Sequence, residues 1–335
     1  MNIHKPLNPY EGPQPRLEVE LMQGYSAPLE GRRNLLRLDF NENTIGPSPQ
    51  VIKALHNIPD SHISIYPEYS GLKEAFIDNL SIKNQALKLD PSQIGIFNGV
   101  DAAIHSIFHA YGNKEDLLIT TTPTFGYYSP CAQMQGMKVI AVPYEGEQFV
   151  FPLKEIETLV GSKKPKLLLI CNPNNPTGTR LEANKIKKLS SLSPQTLVVV
   201  DELYEAFTGD SVLPNFDLEE NPNLLVLRSL SKTSGLAGLR IGFAIGHPTI
   251  INRLNRVTGP YDVNSFAVTA ALATLKDESY INNYIKEVLN AKQWLTKELN
   301  KMEIRHHLEG GNYFLIWPKR ASIEAEGDLK EAGIL

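Results

Sequence analysis

Leu167-Leu-Leu-Ile-Cys171 runs straight into Asn172-Pro-Asn-Asn-Pro-Thr-Gly178, and Leu197-Val-Val-Val200 runs straight into Asp201-Glu-Leu-Tyr204. Each apolar run is continuous rather than alternating, and each stops abruptly at a polar residue. A strand that is apolar throughout is covered on both faces, as strands of parallel sheets are. Working outward, runs of similar character recur at Ile94–Phe97, Leu117–Thr121, Lys138–Val142, Leu224–Leu227 and Ile241–Ile245. Between most of them lie segments with helical spacing, such as Ala102–Ala110 and Leu181–Leu192. Strands alternating with helices predict an α/β fold built on a seven-stranded, mainly parallel sheet.

The pattern also divides the chain. Residues 1–37 are rich in Pro, Gly and charge, show no sustained period, and read as an N-terminal arm. Residues 38–259 carry the strand–helix alternation and form the expected large domain. Beyond Pro260 the alternation stops: Ala267–Leu275 and Ser279–Leu299 read as helices, the second with Trp294 and Leu295 on its apolar side. A Gly310-Gly311 break then leads into a predicted strand, Asn312–Trp317, ended by Pro318. Residues 260–335 are therefore expected to form a smaller α/β domain.

Composition excludes several function classes. The 335 residues hold 33 Lys+Arg against 37 Asp+Glu, a net charge of −4, which lacks the basic surplus of a nucleic-acid binder. Hydrophobic content of 42% and charged content of 21% are those of a chain able to bury a core. Two cysteines, Cys131 and Cys171, rule out a disulfide framework and a Cys-rich zinc site, and both are expected reduced and buried. The first residues have no apolar signal segment, and no apolar run approaches the ~20 residues of a membrane span. A cytoplasmic protein that contacts neither nucleic acid nor membrane is the expectation.

Ligands of parallel sheets sit outside the carboxyl ends of the strands. Here those ends carry Asn98-Gly99, Thr121-Thr122, Asn172, Asp201 and Ser229–Lys232, so polar groups from five strands converge on one rim. Lys232 is the candidate nucleophile, since a lysine amine forms Schiff bases with carbonyl cofactors. Ser231 and Arg240 make a natural phosphate pair, the guanidinium fork matching phosphate oxygens. Asp201 reads as an ionised carboxylate on the pocket floor facing a ring nitrogen, with the Tyr204 hydroxyl near the same ligand. Asn175 is the amide aimed at a ligand oxygen. Gly99 permits close backbone approach, and the N–H groups of Val100–Ala102 form an anion site at a helix start. Phe125 is either a stacking platform or core.

Together, Asn172-Pro-Asn-Asn-Pro-Thr-Gly178, Asp201-Glu-Leu-Tyr204 and Ser229-Leu-Ser-Lys232 with Gly235-Leu-Ala-Gly-Leu-Arg240 resemble the class I/II pyridoxal-phosphate aminotransferases of fold type I. Leu38-Asp-Phe-Asn-Glu-Asn-Thr-Ile-Gly-Pro-Ser-Pro49, Tyr66-Pro67 and Pro260-Tyr-Asp-Val-Asn264 look most like the histidinol-phosphate aminotransferases among them. The resemblance spans roughly residues 25–318. It implies that Lys232 carries the cofactor and shuttles the proton, and that Asp201 pairs with the pyridinium nitrogen. Asn175 and Tyr204 would contact the phenolic oxygen, and Phe125 would stack on the ring where the family commonly has tyrosine. Ser231, Arg240 and the backbone of Val100 and Asp101 would hold the phosphate. Tyr66 would reach the phosphate of the neighbouring subunit, which implies a homodimer with shared sites, and Tyr25 and Asn41 would contact substrate. The implied reaction moves an amino group between histidinol phosphate, or a similar amino acid or amine, and 2-oxoglutarate.

The match departs from the family in two places. Ala102 stands where an acidic residue is common. Family members also continue past a Gly-Ile-Leu segment, here Gly333–Leu335, into a strand whose arginine grips the substrate carboxylate. No arginine here matches it; Arg305 and Arg320 are the nearby alternatives, and the small domain is expected to be incomplete. Non-transaminating pyridoxal-phosphate chemistry (elimination, decarboxylation or cyclisation of a polar or guanidino amino acid) is the alternative expectation. His105 and His109 have the spacing of a metal pair, but without a third ligand they read as packing or solvated residues.

Overall fold

All seven apolar runs are strands. The computed structural model describes residues 13–22, 30–83 and 87–335; Tyr25 lies outside them. The strands are β1 (Ile94–Phe97), β2 (Leu117–Thr122), β3 (Lys138–Pro143), β4 (Leu167–Cys171), β5 (Leu197–Asp201), β6 (Leu224–Ser229) and β7 (Gly242–Gly246). They form one sheet in the order β1-β7-β6-β5-β4-β2-β3, with β7 alone running against the others. A second, two-stranded sheet pairs β8 (Arg305–His307) with β9 (Leu315–Trp317).

Helices cover both faces of the large sheet, and the strands split their side chains between two cores. In β4 and β5, Leu168, Ile170, Val198 and Val200 enter one buried cluster, while Leu167, Leu169, Leu197 and Val199 enter the other. That period of two in fully apolar strands is what burial on both faces demands. Ahead of the sheet lie α1 (Leu17–Glu20), α2 (Pro49–His56), α3 (Ser61–Ser64) and α4 (Leu72–Lys83). Within it come α5 (Gly99–Tyr111), α6 (Tyr128–Met134), α7 (Leu153–Lys163) and α8 (Ala183–Leu192). After it follow α9 (Pro248–Asn255), α10 (Ser265–Leu275), α11 (Glu278–Lys301) and α12 (Ser322–Glu331). Ser48 caps α2 ahead of Pro49, and Asn264 caps α10 through the Ala267 N–H at 2.9 Å.

Ala267, Ala270, Ala271 and Leu275 of α10 join the same buried cluster as the sheet. Two expectations change. The strand read from Asn312 begins only at Leu315, since the side chains of Asn312 and Tyr313 turn back to hydrogen-bond the Asn41 and Asn174 carbonyls. Trp294 is not on the packed side of α11 but 63% exposed; that helix buries Ile281, Tyr284 and Leu299 instead. Cys131 and Cys171 are buried and unpaired. Among the described residues, no helix is long and apolar enough to cross a membrane.

Candidate active site

Because β1, β2, β4, β5 and β6 run in one direction, their carboxyl ends share one edge of the sheet. The reversed strand β7 brings its amino end to that edge: Gly242 pairs with both Phe97 of β1 and Ser229 of β6. Arg240, two residues before, therefore joins the rim from the opposite chain direction. The connection from β3 to β4 passes over β2, so the strand order reverses between β2 and β4, where such sheets open a crevice.

Asp201 ends β5 at the floor of this rim and is 1% exposed. Its Oδ2 accepts from the Tyr128 hydroxyl at 2.6 Å and its Oδ1 from the Leu203 N–H at 3.2 Å. Burial pushes its carboxyl up to about 6, opposed by the Tyr128 hydrogen bond. Lys232 follows β6, and its Nζ donates to the Phe40 carbonyl at 2.7 Å while lying 5.9 Å from the centre of the Tyr204 ring. Burial lowers its pKa, favouring the neutral amine. The buried Tyr204 hydroxyl accepts from the Asn41 amide at 3.1 Å and the Asn175 amide at 3.3 Å. Burial raises its pKa.

The asparagine loop has a division of labour that spacing alone did not reveal. Asn172 is spent on Leu181, giving and accepting one hydrogen bond, and the fully buried Asn174 ties together Pro123, Thr124 and Thr177. Of the three asparagines in this loop, Asn175 alone has its amide on Tyr204.

A cradle of helix-start N–H groups and the Arg240 guanidinium forms at the start of α5. Asn98 makes no side-chain cap there, leaving the first N–H groups of a 13-residue helix without that partner. Gly99 has φ +78°, and a Cβ on it would come 2.5 Å from Arg240 Nη2. Gly242 is held equally close, its Cβ position lying 2.7 Å from the Val100 nitrogen. Arg240, itself left-handed at φ 55°, pairs through Nη2 with the Asp101 carboxylate at 2.7 Å. The expectation for Asp101 concerned its backbone alone, and the side-chain pair is an addition. Ser231 is buried and bonded to Ser229 Oγ through its N–H at 3.0 Å and its Oγ at 2.9 Å.

Phe125 is half-buried, edge-on to Tyr128 with ring centres 5.4 Å apart. Tyr66 is not brought to this rim by its own chain: it is 71% exposed and stacks on Tyr261 at 4.3 Å. Arg305 lies 4.5 Å over Trp317 and pairs with Glu147, and Arg320 pairs with Asp328. His105 shares a hydrogen bond with the Tyr127 hydroxyl, and its ring lies 6.2 Å from that of His109. Sequence reasoning missed Tyr128 and the Phe40 carbonyl. In Phe125-Gly-Tyr-Tyr128 three aromatics compete, and only the start of α6 turns Tyr128 inward.

The family described as aminotransferase class I and II matches residues 33–332 of this chain. The histidinol-phosphate aminotransferase of Moorella thermoacetica is 32% identical over 311 residues, 91% of this chain and 78% of its own. A dihydroxyacetone phosphate transaminase of Campylobacter jejuni is 33% identical over 271 residues, 80% of this chain and 72% of its own. The structure of histidinol-phosphate aminotransferase from Sinorhizobium meliloti in complex with pyridoxal-5'-phosphate superposes with TM-score 0.84 at 22% identity, covering 96% of this chain and 88% of that one. At that identity the likeness is one of fold.

Proposed function

The chain belongs to the aminotransferase class I and II family, pyridoxal-phosphate-dependent transferases of fold type I, and from that premise we propose that it moves an amino group between a phosphorylated amino alcohol of the histidinol phosphate kind and 2-oxoglutarate. The observation that carries the reading is the meeting of Lys232, Asp201, Tyr204 and the Arg240–α5 cradle on one strand rim.

The residues present fit the cofactor. The Tyr204 oxygen already accepts from two amides, so its own proton remains to be donated to a ligand oxygen. A buried acid at Asp201 suits a basic ring nitrogen, since ionic pairing offsets the burial that raises its pKa. The uncapped α5 start, the space kept by Gly99 and the Arg240 guanidinium suit a phosphate. Bound pyridoxal phosphate supplies an electron sink for the pair left behind when a substrate C–H bond is broken.

Each residue then has a task. Lys232 would hold the cofactor through its amine and, once released, take the substrate proton; burial keeps that amine closer to its basic form. Asp201 would keep the ring nitrogen protonated, and Tyr128 would hold the carboxylate in line. Asn175 and Tyr204 would orient the phenolic oxygen. Ser231, Arg240 and the backbone of Val100 and Asp101 would hold the phosphate, while Phe125 would face the ring. Asn41, expected on substrate, is engaged with Tyr204 and would act from that position.

Histidinol phosphate and dihydroxyacetone phosphate, named for two relatives, share a phosphate monoester and lack a carboxylate. That shared chemistry supports the proposed substrate class. A homodimer with shared sites is also part of the proposal. The exposed Tyr66–Tyr261 stack beside exposed Ile63 and Ile65 supports it as an apolar surface of interface type, from which Tyr66 would serve the neighbouring subunit. So are a cytoplasmic setting, an arm at residues 1–37, a large unit at residues 38–259 and a smaller one at residues 260–335.

The test is a half-reaction. Cofactor-loaded protein given glutamate alone is expected to release one equivalent of 2-oxoglutarate, and given histidinol phosphate alone, one equivalent of its ketone. Ammonia or carbon dioxide in place of the keto product would reverse the reading in favour of elimination or decarboxylation.

A further inference from the structure

Residues 40–43 cross the mouth of the rim as a strap held from several sides. The Phe40 carbonyl accepts from Lys232, Glu42 takes Arg32 at 3.2 Å and Arg37 at 3.1 Å, and the Asn43 amide donates to the Thr233 carbonyl at 3.1 Å. Asn41 in the middle is left-handed at φ 53°, a conformation that costs a non-glycine residue free energy and persists only when its surroundings enforce it. Its side chain donates to the Tyr204 hydroxyl, and its carbonyl accepts from Asn312 Nδ2 at 3.0 Å. A carbonyl can only accept, so this contact also fixes which end of the Asn312 amide faces the strap.

The Asn312 side chain has a second partner: it also hydrogen-bonds with Tyr284 of α11, while its Oδ1 is buried without a hydrogen bond. What the amide provides to the strap is a donor on the Asn41 carbonyl. The turn that carries it is itself anchored to the site: Tyr313 donates to the Asn174 carbonyl at 2.6 Å, and Lys292 of α11 donates to the Gly311 carbonyl at 2.8 Å.

We propose that Asn312 is a positioning residue: by holding the Asn41 carbonyl it keeps the Asn41 amide on the Tyr204 oxygen, so that the turn at 310–313 sets how strongly Tyr204 donates to the cofactor's phenolic oxygen. The proposal rests on the pyridoxal-phosphate reading. A hydrogen bond into the phenol oxygen makes its proton more acidic and a better donor; the Asn41 and Asn175 amides both act this way against the burial that raises the Tyr204 pKa. Without the Asn41 bond Tyr204 is a weaker donor, and more negative charge stays on the phenolic oxygen. That charge holds a proton on the neighbouring lysine nitrogen to higher pH.

The test compares the parent holoprotein with Asn312→Ala, Asn41→Gly and the double variant, following the pH midpoint of the cofactor's visible band. Glycine at 41 keeps the left-handed backbone without strain and removes only the amide. Each single variant is expected to raise the midpoint by about half a pH unit, and the double variant to match them, because both remove one hydrogen bond. An unshifted midpoint in Asn312→Ala, or summed shifts in the double variant, would overturn the proposal. If Asn312→Ala folds poorly, Asn312→Asp keeps the shape and turns an acceptor on the carbonyl; it must shift the midpoint at least as far, and a parent-like value overturns the proposal equally. A parent protein that takes up no cofactor contradicts the functional reading and this proposal with it, whereas a normal parent with an unshifted Asn312→Ala contradicts this one alone.

Discussion

The floor of the site and its cover are built in opposite ways. Asp201, Asn175, Lys232 and Arg240 each sit within a few residues of a strand of one sheet, so the ladders that pair β4 with β5 and β5 with β6 set their spacing. The cover is made by residues 40–43 and 310–313, which meet across 271 positions of chain through single hydrogen bonds such as Asn312 to Asn41. A floor placed by backbone ladders tolerates side-chain change without moving. A cover held by side chains depends on each of them.

That contrast orders the expected effects. The largest is chemical and confined to the floor: Lys232→Ala is expected to lower turnover on the order of 10⁴-fold or more while leaving the fold intact, since the sheet does not need the amine. Turnover within ten-fold of the parent would break the assignment of floor and chemistry to the same residues. Next comes the junction. Gly178 has φ +76°, and a Cβ there would lie 2.8 Å from the Gly310 nitrogen and 2.9 Å from its carbonyl oxygen, both backbone atoms that cannot swing aside. Gly178→Ala is expected to cost roughly 2–4 kcal/mol in denaturant unfolding and to disturb the cover, yet to keep the cofactor's visible band. Loss of the band with unchanged stability would show that floor and cover are not separable.

The smallest effect has the opposite sign. In the protein without cofactor, Asp201 is buried with its carboxyl pushed up to about 6, against about 3.9 in an unfolded chain, so ionising it opposes folding. Both states are protonated below the unfolded value, and the penalty grows as pH rises through the interval and is complete above about 6. Asp201→Asn should therefore raise the stability of the cofactor-free protein by roughly 1–3 kcal/mol at pH 8, and not near pH 3, while impairing turnover. Thermal melts of both proteins at the two pH values check it; a gain that is independent of pH would mean the carboxylate is not the source.

The same contrast explains what could be read from the sequence. The central strands β4 and β5 were legible because continuous Leu, Ile and Val runs mark burial on both faces, and the floor residues were legible because they lie at or just beyond the polar ends of the strands. Tyr128 was hidden among neighbouring aromatics, its inward turn decided by where α6 starts. Asn312 and Tyr313 looked like the start of a strand, since local pattern cannot show that both side chains are drawn away to distant carbonyls. Trp294 shows the same limit on a helix, where periodicity names an apolar side but not whether a partner covers it.

The central claim is that Lys232 holds the cofactor on this rim. It is tested most directly by adding pyridoxal phosphate to the purified protein, reducing with borohydride, and locating the label by peptide mass spectrometry. The account predicts a single pyridoxyl adduct on the peptide containing Lys232, absent in Lys232→Ala. An adduct on another lysine, or none, would contradict it.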